Sequence, residues 1–155
     1  MSMTTIPRTV FTLFLFAAAT AVAAKPDPMA KVEDGIAWYD ARSLTIEGQA
    51  WSETKADYDR LPAKAEGKVR DVVWSLSRNS SGIAVRFVTN ATTIHARWTL
   101  TSERLALPHM PATGVSGVDL YVRDDEGHWR WLACGRPTRQ TNSIRLITGI
   151  PEGER

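Results

Sequence analysis

Strict alternation of apolar and polar residues in two stretches constrains the fold of this chain more than any other feature. In Thr92–Leu100 the alternating apolar residues are Ile94, Ala96, Trp98 and Leu100. In Val118–Arg123 they are Val118, Leu120 and Val122. Because neighbouring side chains of a β-strand point to opposite faces, this period of two predicts half-buried strands. Helical periodicity is almost absent elsewhere, so the sequence predicts an all-β protein.

Turn residues next to these stretches predict two hairpins. Ile83–Thr89 is expected to pair with Thr92–Leu100 through a tight turn at Asn90 and Ala91. Val118–Arg123 is expected to pair with His128–Ala133, because the intervening Asp124–Gly127 ends in a glycine that is free to adopt positive φ.

Shorter segments complete this prediction. Ile36–Tyr39, Leu44–Ile46 and Ser143–Ile147 have strand-like composition. Ser52–Lys68 is polar and contains proline and glycine, which predicts a long loop, whereas Val69–Ser77 fits either a short helix or a strand. Many short strands separated by turns are typical of a β-sandwich or jelly roll.

The amino terminus has the pattern of a secretory signal peptide. Arg8 precedes the apolar run Val10–Ala19, and Ala21-Val22-Ala23 matches the small residues of a cleavage site. A transmembrane helix is the alternative, but Val10 to Ala24 is 15 residues, and a span needs about 20. We therefore expect a signal peptide over residues 1–24, a linker over residues 25–35, and a secreted or periplasmic protein with no membrane contact after cleavage.

The remaining chain has the size of one domain and an almost neutral charge. Arg8 is the only charged residue before Lys25, so 18 of the 19 basic residues remain against 17 acidic ones. Without a basic cluster, this balance argues against a nucleic-acid partner. Cys134 is the single cysteine, so no disulfide forms within the chain and the fold must rest on packing.

No complete catalytic or metal site is recognisable in the sequence. Neither Gly-x-Ser-x-Gly nor Gly-Asp-Ser occurs, and these are the settings in which a serine nucleophile is held. The histidines His95, His109 and His128 are scattered, with no partnered acid and nucleophile. Asp124, Asp125 and Glu126 offer oxygen ligands for calcium, but an acidic hairpin tip is more often simply solvated. We therefore predict no catalytic residue, no metal and no cofactor in this chain.

The six tryptophans admit two interpretations. Trp98 shares its strand face with Ile94, which indicates the core. Trp129 and Trp131 lie together on one face of the second hairpin, as core residues or as an exposed platform on which a sugar stacks. Since aromatic side chains dominate core burial, the core is favoured for this pair.

The segment Gly117-Val118-Asp119-Leu120-Tyr121 resembles the GxDLY motif of the N-terminal domain of SGNH hydrolase-type esterases. Further blocks resemble this family in order along the chain, from Ile36 to Arg155. They are Trp38–Ala41, Gly48–Trp51, Val73–Gly82, Arg86-Phe87, Arg97-Trp98 and Leu107–Gly114.

The resemblance implies a β-sandwich similar to a carbohydrate-binding module, followed by a separate SGNH catalytic domain that carries the nucleophilic serine. Residues 36–155 would form the sandwich, which we expect to be incomplete at its C-terminus. The implied function is that of a non-catalytic accessory domain of a secreted ester hydrolase that acts on an acetylated sugar or another acylated small molecule. A free-standing exported carbohydrate-binding module is the first alternative, and a periplasmic interaction domain without a ligand is the second.

The motif and the loop before it supply the candidate site residues. We expect the motif to seat the Pro108–Ser116 loop against the sheet, with the Asp119 carboxylate accepting hydrogen bonds from that loop. The alternative is that His109, Met110 and Thr113 help to wall the active cleft of the partner domain, because loops on a rigid scaffold commonly supply such contacts. The candidates are His109, Met110, Thr113, Gly114, Gly117, Asp119, Leu120 and Tyr121.

Overall fold

A computed structural model describes residues 29–151 and 153. The chain divides into two compact units, Met1–Asp40 and Ala41–Arg155, and each unit is considered by itself. The predicted signal peptide, residues 1–24, lies outside the described residues. Within the described part of the chain, no helix is both long enough and apolar enough to cross a membrane.

The first unit contains a small hairpin. Strands β1 (Lys31–Glu33) and β2 (Ile36–Trp38) pair in antiparallel orientation. They are joined by Asp34 and Gly35, whose φ angles are 51° and 77°. Two consecutive positive φ angles are typical of a type I′ turn, which Asp-Gly adopts readily and which matches the twist of a hairpin. The predicted strand at Ile36–Tyr39 is confirmed, and β1 lies in the segment predicted as a linker.

The second unit begins with a pairing between strands that are distant in sequence. Strand β3 (Thr45–Glu47) pairs in antiparallel orientation with β4 (Ala84–Arg86). A Cβ atom at Gly48, which has a φ of 78°, would overlap the carbonyl oxygen of Gly82. Glycine at position 48 therefore permits the close backbone approach to Gly82 that accompanies this strand pairing.

The first predicted hairpin is consequently wrong. Strand β4 ends at Arg86, and Val88 beyond it is 71% exposed. Strand β5 (Thr93–Thr99) pairs instead with β8 (Thr141–Thr148) in antiparallel orientation. Asn90 and Ala91 form no turn between paired strands, and local residues do not specify which strand becomes the partner of β5.

The segment between β3 and β4 is organised around a buried ion pair. Val69–Ser77, which the sequence left open, contains helix α1 (Asp71–Ser77). The Asp59 side chain is 3% exposed, and its Oδ2 lies 2.8 Å from Nη1 of Arg78, directly after the helix. The same oxygen accepts a 2.9 Å hydrogen bond from the backbone N–H of Ala56. This carboxylate therefore fastens the Ser52–Lys68 loop to the end of α1.

The second predicted hairpin is confirmed. Strands β6 (Val118–Arg123) and β7 (Trp129–Gly135) are antiparallel neighbours. In the turn, Gly127 has a φ of 87°, and the backbone N–H of Asp124 donates a 2.9 Å hydrogen bond to the carbonyl oxygen of His128. A short helix that the sequence did not predict, α2 (Ala112–Ser116), precedes β6.

The β6–β7 hairpin meets the β5–β8 pair at Gly135, which is buried. A Cβ atom at this position would lie 2.8 Å from Val118, 2.9 Å from Leu146 and 3.1 Å from Trp98. Only a glycine leaves room for these three side chains. The following turn is fastened by Asn142, whose Oδ1 accepts a 3.0 Å hydrogen bond from the backbone N–H of Thr138.

The described strands form four two-stranded sheets, and the helices are few and short. The all-β class is therefore confirmed. Apart from prolines, none of the aliphatic or aromatic side chains in the described residues is fully buried. The apolar faces are instead half-buried, and the enclosed positions include Pro137 and the polar residues Asp59, Ser77 and Asn142.

The Asp59–Arg78 pair leads to the first prediction. Arg78→Ala leaves a buried carboxylate without its cation, which should lower the free energy of unfolding by about 3 kcal/mol. Arg86→Ala is the matched control, because its partner Glu47 is 44% exposed and exposed pairs contribute little. Urea unfolding measures both variants. Equal losses of stability would contradict a special role for Asp59.

Candidate functional site

The glycine of the GxDLY-like motif sits where helix α2 joins strand β6. Gly117 has a φ of −76°, so it is not there to allow a left-handed backbone. A Cβ atom on it would overlap the carbonyl oxygen of Thr113 and lie 3.1 Å from the carbonyl oxygen of Gly135. The backbone N–H of Gly117 also donates a 3.2 Å hydrogen bond to the Thr113 oxygen. Close backbone approach is therefore what requires a glycine here.

The loop before the motif is held at both ends. Leu107 and Met110 exchange two backbone hydrogen bonds of 3.0 and 3.1 Å. At the other end, the indole Nε1–H of Trp98 donates a 3.1 Å hydrogen bond to the carbonyl oxygen of Ser116. The Met110 side chain covers Gly114, since a Cβ there would lie 3.1 Å from Met110 Cγ. The predicted loop candidates are exposed: His109, Met110, Thr113 and Gly114.

The motif directs its side chains alternately to the two faces of the β6–β7 hairpin. On one side, which we call the inner face, Val118, Leu120 and Val122 are half-buried. The opposite side, which we call the outer face, carries the other motif side chains and their cross-strand neighbours. Its members are Asp119, Tyr121, Arg123, Trp129, Trp131 and Cys134.

Three large aromatic side chains dominate the outer face. Tyr121 is 50% exposed, Trp129 is 53% exposed and Trp131 is 58% exposed. Tyr121 and Trp131 are direct cross-strand partners, and Trp129 lies two residues before Trp131 in β7. The expectation that Trp129 and Trp131 belong to the core is therefore wrong, whereas Trp98, which was also expected in the core, is half-buried.

A β-bulge explains the exposure of the two tryptophans. Ala133 pairs with Leu120 of the inner face, but Trp131 pairs with Tyr121 of the outer face, so Leu132 is an extra residue in β7. One extra residue reverses the face of every side chain beyond it. Without the bulge, Trp129 and Trp131 would share the face of Ala133, as the simple alternation predicted.

The Asp119 carboxylate contacts the opposite strand. Its Oδ1 accepts a 3.2 Å hydrogen bond from the indole Nε1–H of Trp131. Burial raises the pKa of the Cys134 thiol, and a hydrogen bond and the negative charge of Asp119 raise this pKa further. The expectation that Asp119 bonds the Pro108–Ser116 loop is thus wrong, because strand alternation turns the carboxylate to the outer face.

The hairpin tip holds a cluster of ionisable side chains. Single ligand atoms of Asp124, Glu126 and His128 lie within 4.8 Å of one another. The Asp124 carboxylate is already bound at 2.8 Å by Arg130 and at 2.7 Å by the backbone N–H of His128. These contacts, that of Arg130 first, lower the pKa of Asp124. The cluster is therefore explained by contacts that stabilise the hairpin turn.

Two further features lie away from the motif. An apolar cavity of about 200 Å³ adjoins the inner face near the end of β8. Its lining is Val122, Leu132, Ile147, Gly149, Ile150 and Pro151. The three histidines lie on separate elements, His95 in β5, His109 in the loop before α2 and His128 beside the hairpin tip.

Gly117 provides the second prediction. Gly117→Ala should lower the free energy of unfolding by roughly 1–3 kcal/mol, because the new methyl group meets a carbonyl oxygen that cannot move aside. Gly114→Ala is the control, since there the methyl group meets only the flexible Met110 side chain and a helical alanine is favoured over glycine. Thermal melting compares them. An unchanged melting temperature for Gly117→Ala would refute the close-approach explanation.

Cys134 provides the third prediction. Because only the thiolate reacts with iodoacetamide, the midpoint of the rate against pH should lie above the ordinary thiol value of 9.0. Asp119→Asn removes a negative charge and should therefore move the midpoint down, towards that value. Asp125→Asn at the hairpin tip is the control and should leave the midpoint in place. Identical midpoints for the natural chain and Asp119→Asn would contradict the proposed coupling.

Comparison with known proteins relates this geometry to a family. Residues 36–155 match the family described as GxDLY, the N-terminus of SGNH hydrolase-type esterases. A solved structure described as a GDSL-like lipase from Bacteroides ovatus matches with a TM-score of 0.68 and 28% identity. That match covers 74% of this chain and 33% of the lipase, so the chain spans about a third of the length of that protein. No curated protein matches the chain.

Proposed function

Because the chain belongs to the GxDLY family, which forms the N-terminus of SGNH hydrolase-type esterases, we propose that it is the accessory domain of an exported esterase of this type. The serine nucleophile lies in a catalytic domain that follows the family's N-terminal part. The family match over residues 36–155 is the observation that carries this proposal.

The contribution of this chain to hydrolysis is structural. The sequence has no Gly-Asp-Ser block, so the nucleophilic attack and the stabilisation of the oxyanion belong to the catalytic domain. The exposed loop residues His109, Met110 and Thr113 extend from an anchored segment, which suits them to wall the cleft of that domain. The substrate class is an acetylated sugar or another acylated small molecule.

The same proposal includes the type of β-sandwich and the cellular location of the protein. Residues 36–155 form a β-sandwich of the jelly-roll type that resembles a carbohydrate-binding module, and the half-buried inner face of the β6–β7 hairpin suits one layer of such a sandwich. Residues 1–24 act as a cleaved signal peptide and direct the protein to the periplasm or the medium.

A free-standing carbohydrate-binding module is the second candidate. The exposed aromatic side chains of Tyr121, Trp129 and Trp131 favour it, because flat aromatic rings present an apolar surface on which sugar rings stack. If this candidate is correct, the chain binds a polysaccharide by itself, with no catalytic domain attached.

The fourth prediction tests the accessory role with a fusion. In this fusion the complete 155-residue chain replaces the matched third of the Bacteroides ovatus lipase. The chain alone should hydrolyse p-nitrophenyl acetate no faster than buffer. The fusion should exceed the unattached remainder of the lipase by roughly tenfold in kcat/KM, because correct positioning of cleft walls lowers the barrier.

The control fusion carries an unrelated β-sandwich of similar length in the same place. If the two fusions are equally active, the accessory role is refuted. Affinity electrophoresis of the chain alone, in gels that contain soluble xylan, tests the second candidate function. A carbohydrate-binding module is retarded in these gels, whereas an accessory domain is not.

A further inference from the structure

We infer that the outer face of the β6–β7 hairpin is the surface on which the SGNH catalytic domain docks. This inference rests on the proposed function and adds to it the contact surface between the two domains. The occupant is a protein domain, and the aromatic side chains of Tyr121, Trp129 and Trp131 form the centre of the contact.

The motif itself supports this assignment. The residues Gly117 and Leu120 serve the packing of the hairpin, through close backbone approach and the inner face. Asp119 and Tyr121, in contrast, have exposed positions on the outer face. Asp119 holds the exposed Trp131, and Tyr121 faces outward, so this half of the motif serves the exposed face rather than the packing of the hairpin.

The composition of the face suits a protein partner. Tyrosine, tryptophan and arginine are the residues enriched at the centres of protein interfaces. Three aromatic side chains, each about half exposed, present on the order of 300 Å² of surface. That area alone is ordinary for the largest apolar patch of a monomer; the residue types and the motif, rather than the area, distinguish this face.

The polar groups around the rings favour a protein over a saccharide. The Asp119 carboxylate is bonded to Trp131 at 3.2 Å. Arg123 donates a 3.1 Å hydrogen bond to the carbonyl oxygen of Gly127. A sugar site needs polar groups that converge on the ligand, but these are already engaged within the hairpin. They form a satisfied polar rim around an apolar centre, which is the usual anatomy of a protein interface.

The hydrogen bond from Trp131 to Asp119 also prepares the face for docking. It ties the indole ring to the neighbouring strand while 58% of the side chain stays exposed. A side chain that is already held in one orientation loses less conformational entropy when a partner covers it. The face is therefore organised before the catalytic domain arrives.

The fifth prediction tests this docking by hydroxyl-radical footprinting, read by mass spectrometry. The unattached chain is compared with the fusion to the lipase remainder described above. Oxidation of Tyr121, Trp129 and Trp131 should slow by roughly fivefold or more in the fusion, because docking removes these rings from water. Trp51, which is 46% exposed and lies outside this face, is the internal control and should oxidise at the same rate in both proteins.

A pair of double variants checks the consequence for activity. In the fusion, Tyr121→Ser with Trp129→Ser should remove most of the gain in kcat/KM over the lipase remainder, while the Trp131–Asp119 bond is left in place. Trp51→Ser with Phe87→Ser is the matched control, since both rings are exposed but lie off the outer face. It should keep the gain.

The outcomes separate this inference from the proposed function. If the fusion gains activity while the outer face stays as reactive as in the unattached chain, the docking surface is wrong and the accessory role stands. If the fusion gains nothing, the accessory role fails, and the docking surface fails with it. If soluble xylan protects the same three rings in the unattached chain, the face is a saccharide platform and the docking inference is overturned.

Discussion

The β-bulge at Leu132 determines which side chains this protein presents to its surroundings. Before the bulge, β7 places Trp129 and Trp131 on the outer face with Tyr121; after it, Ala133 and Gly135 lie on the inner face with Leu120 and Val118. One extra residue thus divides a single strand into an exposed aromatic part and a close-packed part. The candidate site exists because of this division, since a regular β7 would turn both tryptophans inward.

Close backbone contact at two glycines holds the hairpin in place for this role. Gly117 lies against the carbonyl oxygens of Thr113 and Gly135, and Gly135 in turn makes room for Trp98, Val118 and Leu146. Trp98 connects the two glycine positions. Its ring lies near Gly135, and its indole N–H donates a hydrogen bond to the carbonyl oxygen of Ser116, directly before Gly117. The loop, the motif and the β5–β8 pair therefore meet at one junction, and the outer face is the side of the hairpin that this junction leaves exposed.

Local signals were sufficient for part of this arrangement. The β6–β7 hairpin could be predicted because alternation and a turn glycine lie within one short stretch. The partner of β5 could not, since β8 lies more than 40 residues further on and nothing in Asn90-Ala91 specifies it. The exposure of Trp129 and Trp131 was missed for another reason. A bulge cannot be recognised in an alternating sequence, so the period of two predicted both side chains to lie in the core. The motif glycine, Gly117, was recognised as a candidate, but only its contacts show that it permits close backbone approach.

The central claim is that this chain serves an SGNH-type esterase whose nucleophile lies in another domain. The most direct test isolates the natural protein from its source cells with an antibody against residues 36–155 and treats it with a fluorophosphonate that labels active-site serines. Peptide mapping then locates the label. The account predicts a labelled serine in a Gly-Asp-Ser segment outside residues 1–155, in the same polypeptide or in one that co-purifies. A label on a serine within residues 36–155, or no labelled hydrolase at all, would contradict it.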